Sequence, residues 1–165
     1  MSWQANFSSN IYFGVNAIEE NNKALEGLGK QALIVIGQGG SARKIGALRD
    51  VCKVLQQLSI AWEVFDQVEA NPSIDTVRAG ALLARECSAD FIVGIGGGSP
   101  LDAAKAIAIL AVNELRNDEL LNLQFGEVLP VVAIPTTAGT GSEVTPYAIV
   151  TFPLLETKKI LPVQR

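Results

Sequence analysis

Four glycines fall within five residues at Gly94, Gly96, Gly97 and Gly98, and Ser99-Pro100 follows in the stretch GIGGGSPLDAAKAIAIL. Successive glycines let consecutive backbone N–H groups converge into a concavity that suits an anion. Ser99 is placed to cap a helix, Pro100 to sit at its first position and Asp102 to complete a capping box. Free amides and the positive end of the helix dipole then favour a diphosphate just above Gly97 and Gly98. Lys105 stands one turn beyond Asp102, where it can act as a counter-charge or pair with Asp102 at i,i+3. A tight turn leading into a well-capped helix would use the same residues.

A second loop competes for the phosphate. GQGGSA, with Gly37, Gly39, Gly40 and Ser41, fits the G-x-G-x-x-A dinucleotide fingerprint. Asp66 at the end of the next strand is a candidate ribose carboxylate, although it lies further on than the usual spacing. Glycine is also demanded by tight strand-to-helix turns alone. A third stretch, AIPTTAGTGSEVTPYAIVT, sets Thr136, Thr137, Thr140, Ser142 and Thr145 within ten residues. So many neutral donors and acceptors suit a ribose, an adenine edge or a phosphate. Histidine is absent from the chain, which removes the commonest general base and the commonest ligand of catalytic transition metals.

These loops need elements to hold them. Continuous apolar runs at Ala32–Ile36, Phe91–Ile95 and Val131–Ile134 read as buried strands, with further strands at Ile60–Phe65 and in YAIVTF. Helical spacing runs through SARKIGALRDVCKVLQQL, NPSIDTVRAGALLAREC and SPLDAAKAIAIL. A short strand at Ile11–Phe13 and then a helix are expected near the start, and NELRNDELLNLQFGEVL reads as a surface excursion. Strands alternating with helices predict an α/β, Rossmann-like parallel sheet covered on both faces. The hydroxyl-rich loop and GIGGGS both leave the C-terminal ends of strands, where such sheets bind ligands.

The bulk numbers narrow the function classes. With 165 residues, 48% of them hydrophobic, the chain can build one ordinary domain core. Thirteen basic against 17 acidic residues, a net charge of −4, argue against nucleic acid or a membrane surface as partner. No apolar run has membrane-span length, and the N-terminal MSWQANFSSN does not read as a signal peptide. Cys52 and Cys87, far apart within helical patterns, read as thiols of a reducing, cytoplasmic compartment.

GIGGGSPLDAAKAIA, followed by PTTAGTGSEVTPYAIVT, resembles the iron-containing (group III) alcohol dehydrogenase family, relatives of glycerol dehydrogenases and dehydroquinate synthases. DQVEANPSIDTVRAG resembles that family's Asn-Pro segment and NIYFGVNAI its Phe-Gly segment, so the resemblance runs to about Thr151. It implies an N-terminal domain that binds NAD or NADP, with the pyrophosphate on Gly96, Gly97, Gly98 and Ser99 and the Thr136–Ser142 loop lining the cofactor. A lysine near the end of the domain approaches the cofactor, and Lys158 or Lys159 is the nearest match, Lys159 being taken here. The family's second domain is helical and holds iron or zinc with one Asp and three His. There the metal polarises the substrate oxygen while hydride moves to or from the nicotinamide.

Members using NAD tend to carry Asp where this chain has Gly37. With Ser41, Arg43 and Lys44 nearby, the chain resembles the NADPH-using aldehyde reductase branch, so NADP is favoured over NAD and GQGGSA becomes the adenosine-ribose end. Arg43 and Lys44 near a helix start are unfavourable without an anion. The expected organisation is a cofactor domain over residues 1–151 and the truncated start of an interdomain connection over 152–165. A chain without histidine cannot bind the family metal, and is expected to lack turnover. Self-association through the surface left by the missing domain is expected. The alternatives are a non-enzymatic nucleotide- or phosphate-binding module, or a fragment of the glycerol dehydrogenase or dehydroquinate synthase type.

Overall fold

Why the apolar runs end in loops that face one another follows from the order of the strands. The computed structural model describes residues 9–122 and 126–163. The first strand, β1 (Gln31–Gly37), is followed by helices α2 (Ser41–Lys44) and α3 (Ala47–Gln57) after a short α1 (Ala17–Glu20). Next come β2 (Ala61–Val68), α4 (Ile74–Glu86), β3 (Phe91–Gly96), α5 (Gly98–Val112), α6 (Asn117–Leu121) and β4 (Val131–Pro135). These four strands form one parallel sheet in the order β2-β1-β3-β4. The chain therefore leaves β1 to one side and returns past it to β3. The crevice between the C-terminal ends of β1 and β3 is the switch point at which open parallel sheets take ligands.

Side-chain alternation sorts the strands onto two cores. Leu33, Val35 and Ile92 face α4 and α5, whereas Ala32, Ile34, Ile36, Phe91, Val93 and Ile95 face α3. Both central strands are buried on both faces, as their unbroken apolar sequences require. Gly94 lets α5 lie close, since a Cβ there would stand 2.8 Å from Ala104 Cβ.

Beyond β4 the chain forms an antiparallel hairpin of β5 (Tyr147–Phe152) and β6 (Thr157–Pro162), separate from the main sheet. Ala148, Val150, Phe152 and Leu161 turn inward and join the α4–α5 core. Helix α5 is thus covered by the sheet on one side and the hairpin on the other. That position explains a helix apolar nearly all round, with Leu101, Ile107, Ile109 and Leu110 buried on different faces. Residues 152–163, expected to begin a connection, run through a 3-10 turn at Pro153–Leu155 into β6, and residues 164–165 lie outside the described residues.

Several expectations need correction. The single helix read from Ser41 to Leu58 is two, because Gly46 takes a left-handed φ of +87° and breaks the hydrogen-bond ladder. Val131–Ile134 is half-buried, because β4 is the sheet's edge strand. Ile11–Phe13 is not a strand: it finds no neighbouring strand among the described residues, and all three side chains are exposed. The surface excursion at 113–129 contains α6, whose Leu120 is fully buried, and its residues 123–125 lie outside the described residues.

Close contact between β3 and α5 predicts a large penalty for volume at Gly94. Gly94→Val should destabilise the fold by about 2–3 kcal/mol in urea unfolding monitored by circular dichroism, through overpacking against Ala104. Unchanged stability would show that α5 can move away from β3.

Candidate functional site

The three loops singled out in the sequence leave the C-terminal ends of β1, β3 and β4, which the parallel register places side by side. Ile36 lies opposite Ile95, and Gly96 opposite Pro135. Gly96 has φ +152°, and a Cβ there would meet Pro100 Cγ at 2.6 Å. Only glycine lets the chain turn this sharply into α5. The hydroxyl loop closes over that turn. Thr136 N donates to Gly96 O at 2.9 Å. Cβ atoms at Gly97 and Gly98 would stand 3.1 Å from Thr137 Oγ1 and 3.3 Å from Thr140 Cγ2.

Helix α5 begins at Gly98, two residues earlier than a Ser99 cap requires. Gly97 is its N-cap, in extended backbone, and no side chain caps it. The capping box read from Ser99 and Asp102 does not form. Ser99 Oγ instead accepts from Asn71 N at 3.1 Å. Asp102 turns toward the following loop: Oδ1 accepts from Ser142 Oγ at 2.5 Å and Oδ2 from Ile149 N at 3.1 Å. A hydroxyl, a strand amide and a buried ammonium together outweigh the helix amides for this carboxylate. The first amides of α5 are therefore left to an outside acceptor.

Lys105 pairs with Asp102 at i,i+3, Nζ to Oδ1 3.1 Å, with both side chains nearly buried. It does not reach out as a counter-charge for a diphosphate. Its Nζ donates to Ser142 O at 2.9 Å and Thr145 O at 3.3 Å, and also to Tyr147 O. Burial pushes the Lys105 ammonium below its ordinary pKa, and the charges of Asp102 and Glu143 oppose that shift only in part. Glu143 Oε2 is buried without a hydrogen-bond partner.

These elements bound a cleft of about 460 Å³. The start of α5 supplies Gly98, Ser99 and Asp102, and the hydroxyl loop supplies Thr140, Ser142 and Thr145. The hairpin supplies Tyr147, Ile149, Thr151, Lys158 and Ile160, and the loop before α4 supplies Asn71 and Pro72. Gly96, Gly97, Thr136 and Thr137 are not among the residues that line it. Gly37, Gly39, Gly40 and Ser41 form the neighbouring turn outside it, where a Cβ on Gly37 would touch Pro100 Cγ at 3.4 Å.

Lys158 lines the cleft and Lys159 does not, because neighbouring residues of β6 face opposite ways. Lys158 Nζ donates to Asn71 Oδ1 at 2.7 Å. Asn71 itself went unremarked in sequence reasoning beyond its place before a proline. It holds a left-handed φ of +58°, and its carbonyl accepts from Thr151 Oγ1 at 3.2 Å. An asparagine before proline at a strand-to-helix junction was the available signal, since few other residues tolerate that conformation.

Arg43 has its anion within the chain. It pairs with Asp66 at 3.0 Å, both half-exposed, so Asp66 is not a free ribose acceptor. Arg43 and Lys44 also lie in the last turn of the four-residue α2, where cations are favourable. On both grounds Arg43 and Lys44 require no ligand anion, contrary to expectation. Among the described residues no three His, Cys, Asp or Glu side chains gather as a metal site, and no helix is long and apolar enough to cross a membrane.

Comparison with known proteins fits this geometry. Residues 8–163 match the family model of iron-containing alcohol dehydrogenase. The chain belongs to the iron-containing alcohol dehydrogenase family. The match extends past Thr151, where the resemblance was expected to end, and takes in β6. The chain is 36% identical over 148 residues to the long-chain primary alcohol dehydrogenase AdhA of Thermoanaerobacter ethanolicus, covering 86% of this chain and 37% of that protein. It is 35% identical over 147 residues to the NADPH-dependent butanol dehydrogenase of Clostridium saccharobutylicum, again 86% and 37%. The crystal structure of an iron-containing alcohol dehydrogenase from Thermotoga maritima superposes with a TM-score of 0.90 at 42% identity, covering 99% of this chain and 45% of that one. The chain thus spans less than half the length of the proteins it matches.

The buried lysine predicts a definite pH dependence. A depressed folded pKa means that the unfolded chain binds more protons in the window below 10.5, so the Lys105 contribution to stability rises with pH there. Lys105→Met, which leaves Asp102 buried and unpaired, should cost about 3 kcal/mol at neutral pH, and the gap to wild type should widen toward pH 10. Urea unfolding across pH 7–10 (roughly the window of this linkage) checks both, and a gap that narrows would reverse the assigned direction of the shift.

Proposed function

We propose that the chain is the nicotinamide-cofactor domain of a metal-dependent alcohol dehydrogenase or aldehyde reductase, and that the 165 residues have no turnover alone. The observation that carries this reading is the start of α5. It has no side-chain cap, opens into a cleft beside the sheet's switch point and is roofed by Thr137 and Thr140. The donor set suits a dinucleotide. The amides of Gly97, Gly98 and Ser99 would hold the diphosphate, with Thr137 and Thr140 packed close over glycines that leave no room for a Cβ. Thr140, Ser142 and Asp102 would face ribose hydroxyls. The turn Gly37–Ser41 would take the adenosine end, beside Pro100.

When bound, the nicotinamide ring supplies hydride acceptance or donation. The chain's own part is to fix the diphosphate, orient the nucleoside against the hairpin and keep water from that face with Tyr147, Ile149 and Ile160. NADP remains the favoured cofactor on the absence of a carboxylate at Gly37, and the name of the Clostridium relative is in keeping with it. The family metal, held by one Asp and three His in the resemblance above, has no histidine to bind in this chain, which is the ground for proposing no turnover. The free thiols Cys52 and Cys87 accord with a reducing cytoplasm.

Titration calorimetry with NADPH and NADH tests the reading. Binding of at least one is expected, tighter for NADPH. Gly97→Asp, which sets a carboxylate among the amides, should weaken it by about a hundredfold or more. No heat with either cofactor rejects the binding claim, and alcohol oxidation by the purified chain rejects the claim of inactivity.

The turn that joins β5 to β6 is apolar and exposed outside the cleft, with Leu154 and Leu155 at 95% and 53%. We propose that two copies of the chain associate through it. Light scattering should show dimers that Leu154→Lys dissolves, and a monodisperse monomer at high concentration would contradict this.

A further inference from the structure

We infer that Lys105 is a positioning residue for the nicotinamide-nucleoside half of the dinucleotide, acting through Asp102 and Ser142 without touching the ligand. This rests on the cofactor reading above. The start of α5 and the roof of Thr137 and Thr140 form the diphosphate end of the cleft. The turn Gly37–Ser41, on the β1 side of Pro100, is the adenosine end. Beyond Gly98 the cleft runs one helical turn along α5, to Asp102, and out between Ser142 and the hairpin. That remaining space belongs to the other nucleoside.

The polar floor of this half is held by one buried cation. Lys105 Nζ donates to the carbonyls of Ser142, Thr145 and Tyr147 and stands 3.1 Å from Asp102 Oδ1. Four acceptors from three segments thus converge on a single ammonium. Asp102 Oδ1 takes the Ser142 hydroxyl as well, and Oδ2 takes Ile149 N from β5. Lys105 therefore sets where the Asp102 carboxylate and the Ser142 hydroxyl stand. Among the described residues its link to the diphosphate end is a single long contact, Ser142 N to Thr140 Oγ1 at 3.4 Å. The Gly96 turn is held by its own contacts to Pro100 and by Thr136 N on Gly96 O. A change at Lys105 should accordingly be felt by one half of the ligand and spared by the other. A purely structural lysine would weaken both alike.

The test compares NADPH with ADP, which has the diphosphate but no nicotinamide nucleoside. Calorimetric affinities are measured for wild type, Lys105→Met and Lys105→Gln. Lys105→Gln keeps a neutral donor among the same carbonyls and keeps the comparison available where Lys105→Met fails to fold. In each variant NADPH binding should weaken about tenfold, as expected for losing a charge-assisted contact, while ADP binding changes less than about twofold. Equal losses for both ligands, or no loss for either, overturn the inference while leaving the cofactor reading intact. A wild-type chain that binds neither ligand overturns the cofactor reading, and the inference falls with it.

Discussion

One ammonium group, withdrawn from water between α5 and the hairpin, organises the end of this domain. Charge buried this deeply is tolerated only when every donor is met. Lys105 meets that condition by drawing three backbone carbonyls and one carboxylate to itself. The same demand brings the Thr140–Tyr147 segment back over α5 after it has left the sheet. It also recruits Asp102 away from the helix start. The absence of a side-chain cap on α5 is thus a consequence of a structural requirement one turn further in.

The packing around α5 supports that arrangement. The helix can be apolar on nearly every face because β3 covers one side and β5 the other. Glycine at position 94 sets how near the sheet comes, and Gly96 sets the angle at which the chain enters the helix. The hydroxyl loop, descending from β4, then has nowhere to lie except across Gly97 and Gly98. The proposed cofactor site depends on the strand order, which puts the ends of β1, β3 and β4 next to one another.

Much of this was legible in the residues. The unbroken apolar runs at Ala32–Ile36 and Phe91–Ile95 reveal central parallel strands because burial on both faces leaves no alternation to see. The glycine turn and the hydroxyl loop stand out because each uses residues poorly suited to an ordinary core. What stayed hidden depends on long-range pairing. The edge position of β4 is a property of the sheet and not of VVAIP itself. The choice between Lys158 and Lys159 turns on the hairpin register, in which Thr151 lies opposite Lys158, and no local pattern contains it. The partner of Asp102 was misread because the capping box is a local rule, overridden by a serine forty residues away. Arg43 was misread likewise, since Asp66 becomes its neighbour only through β1–β2 pairing.

The account stands on exposed amides at the front of α5 receiving a dinucleotide's diphosphate. Amide proton and nitrogen chemical shifts of the chain, recorded while NADPH is added, test it directly. The largest displacements should fall on Gly97, Gly98 and Ser99, moving together with one affinity. Saturation by NADPH with those three resonances unmoved would contradict it.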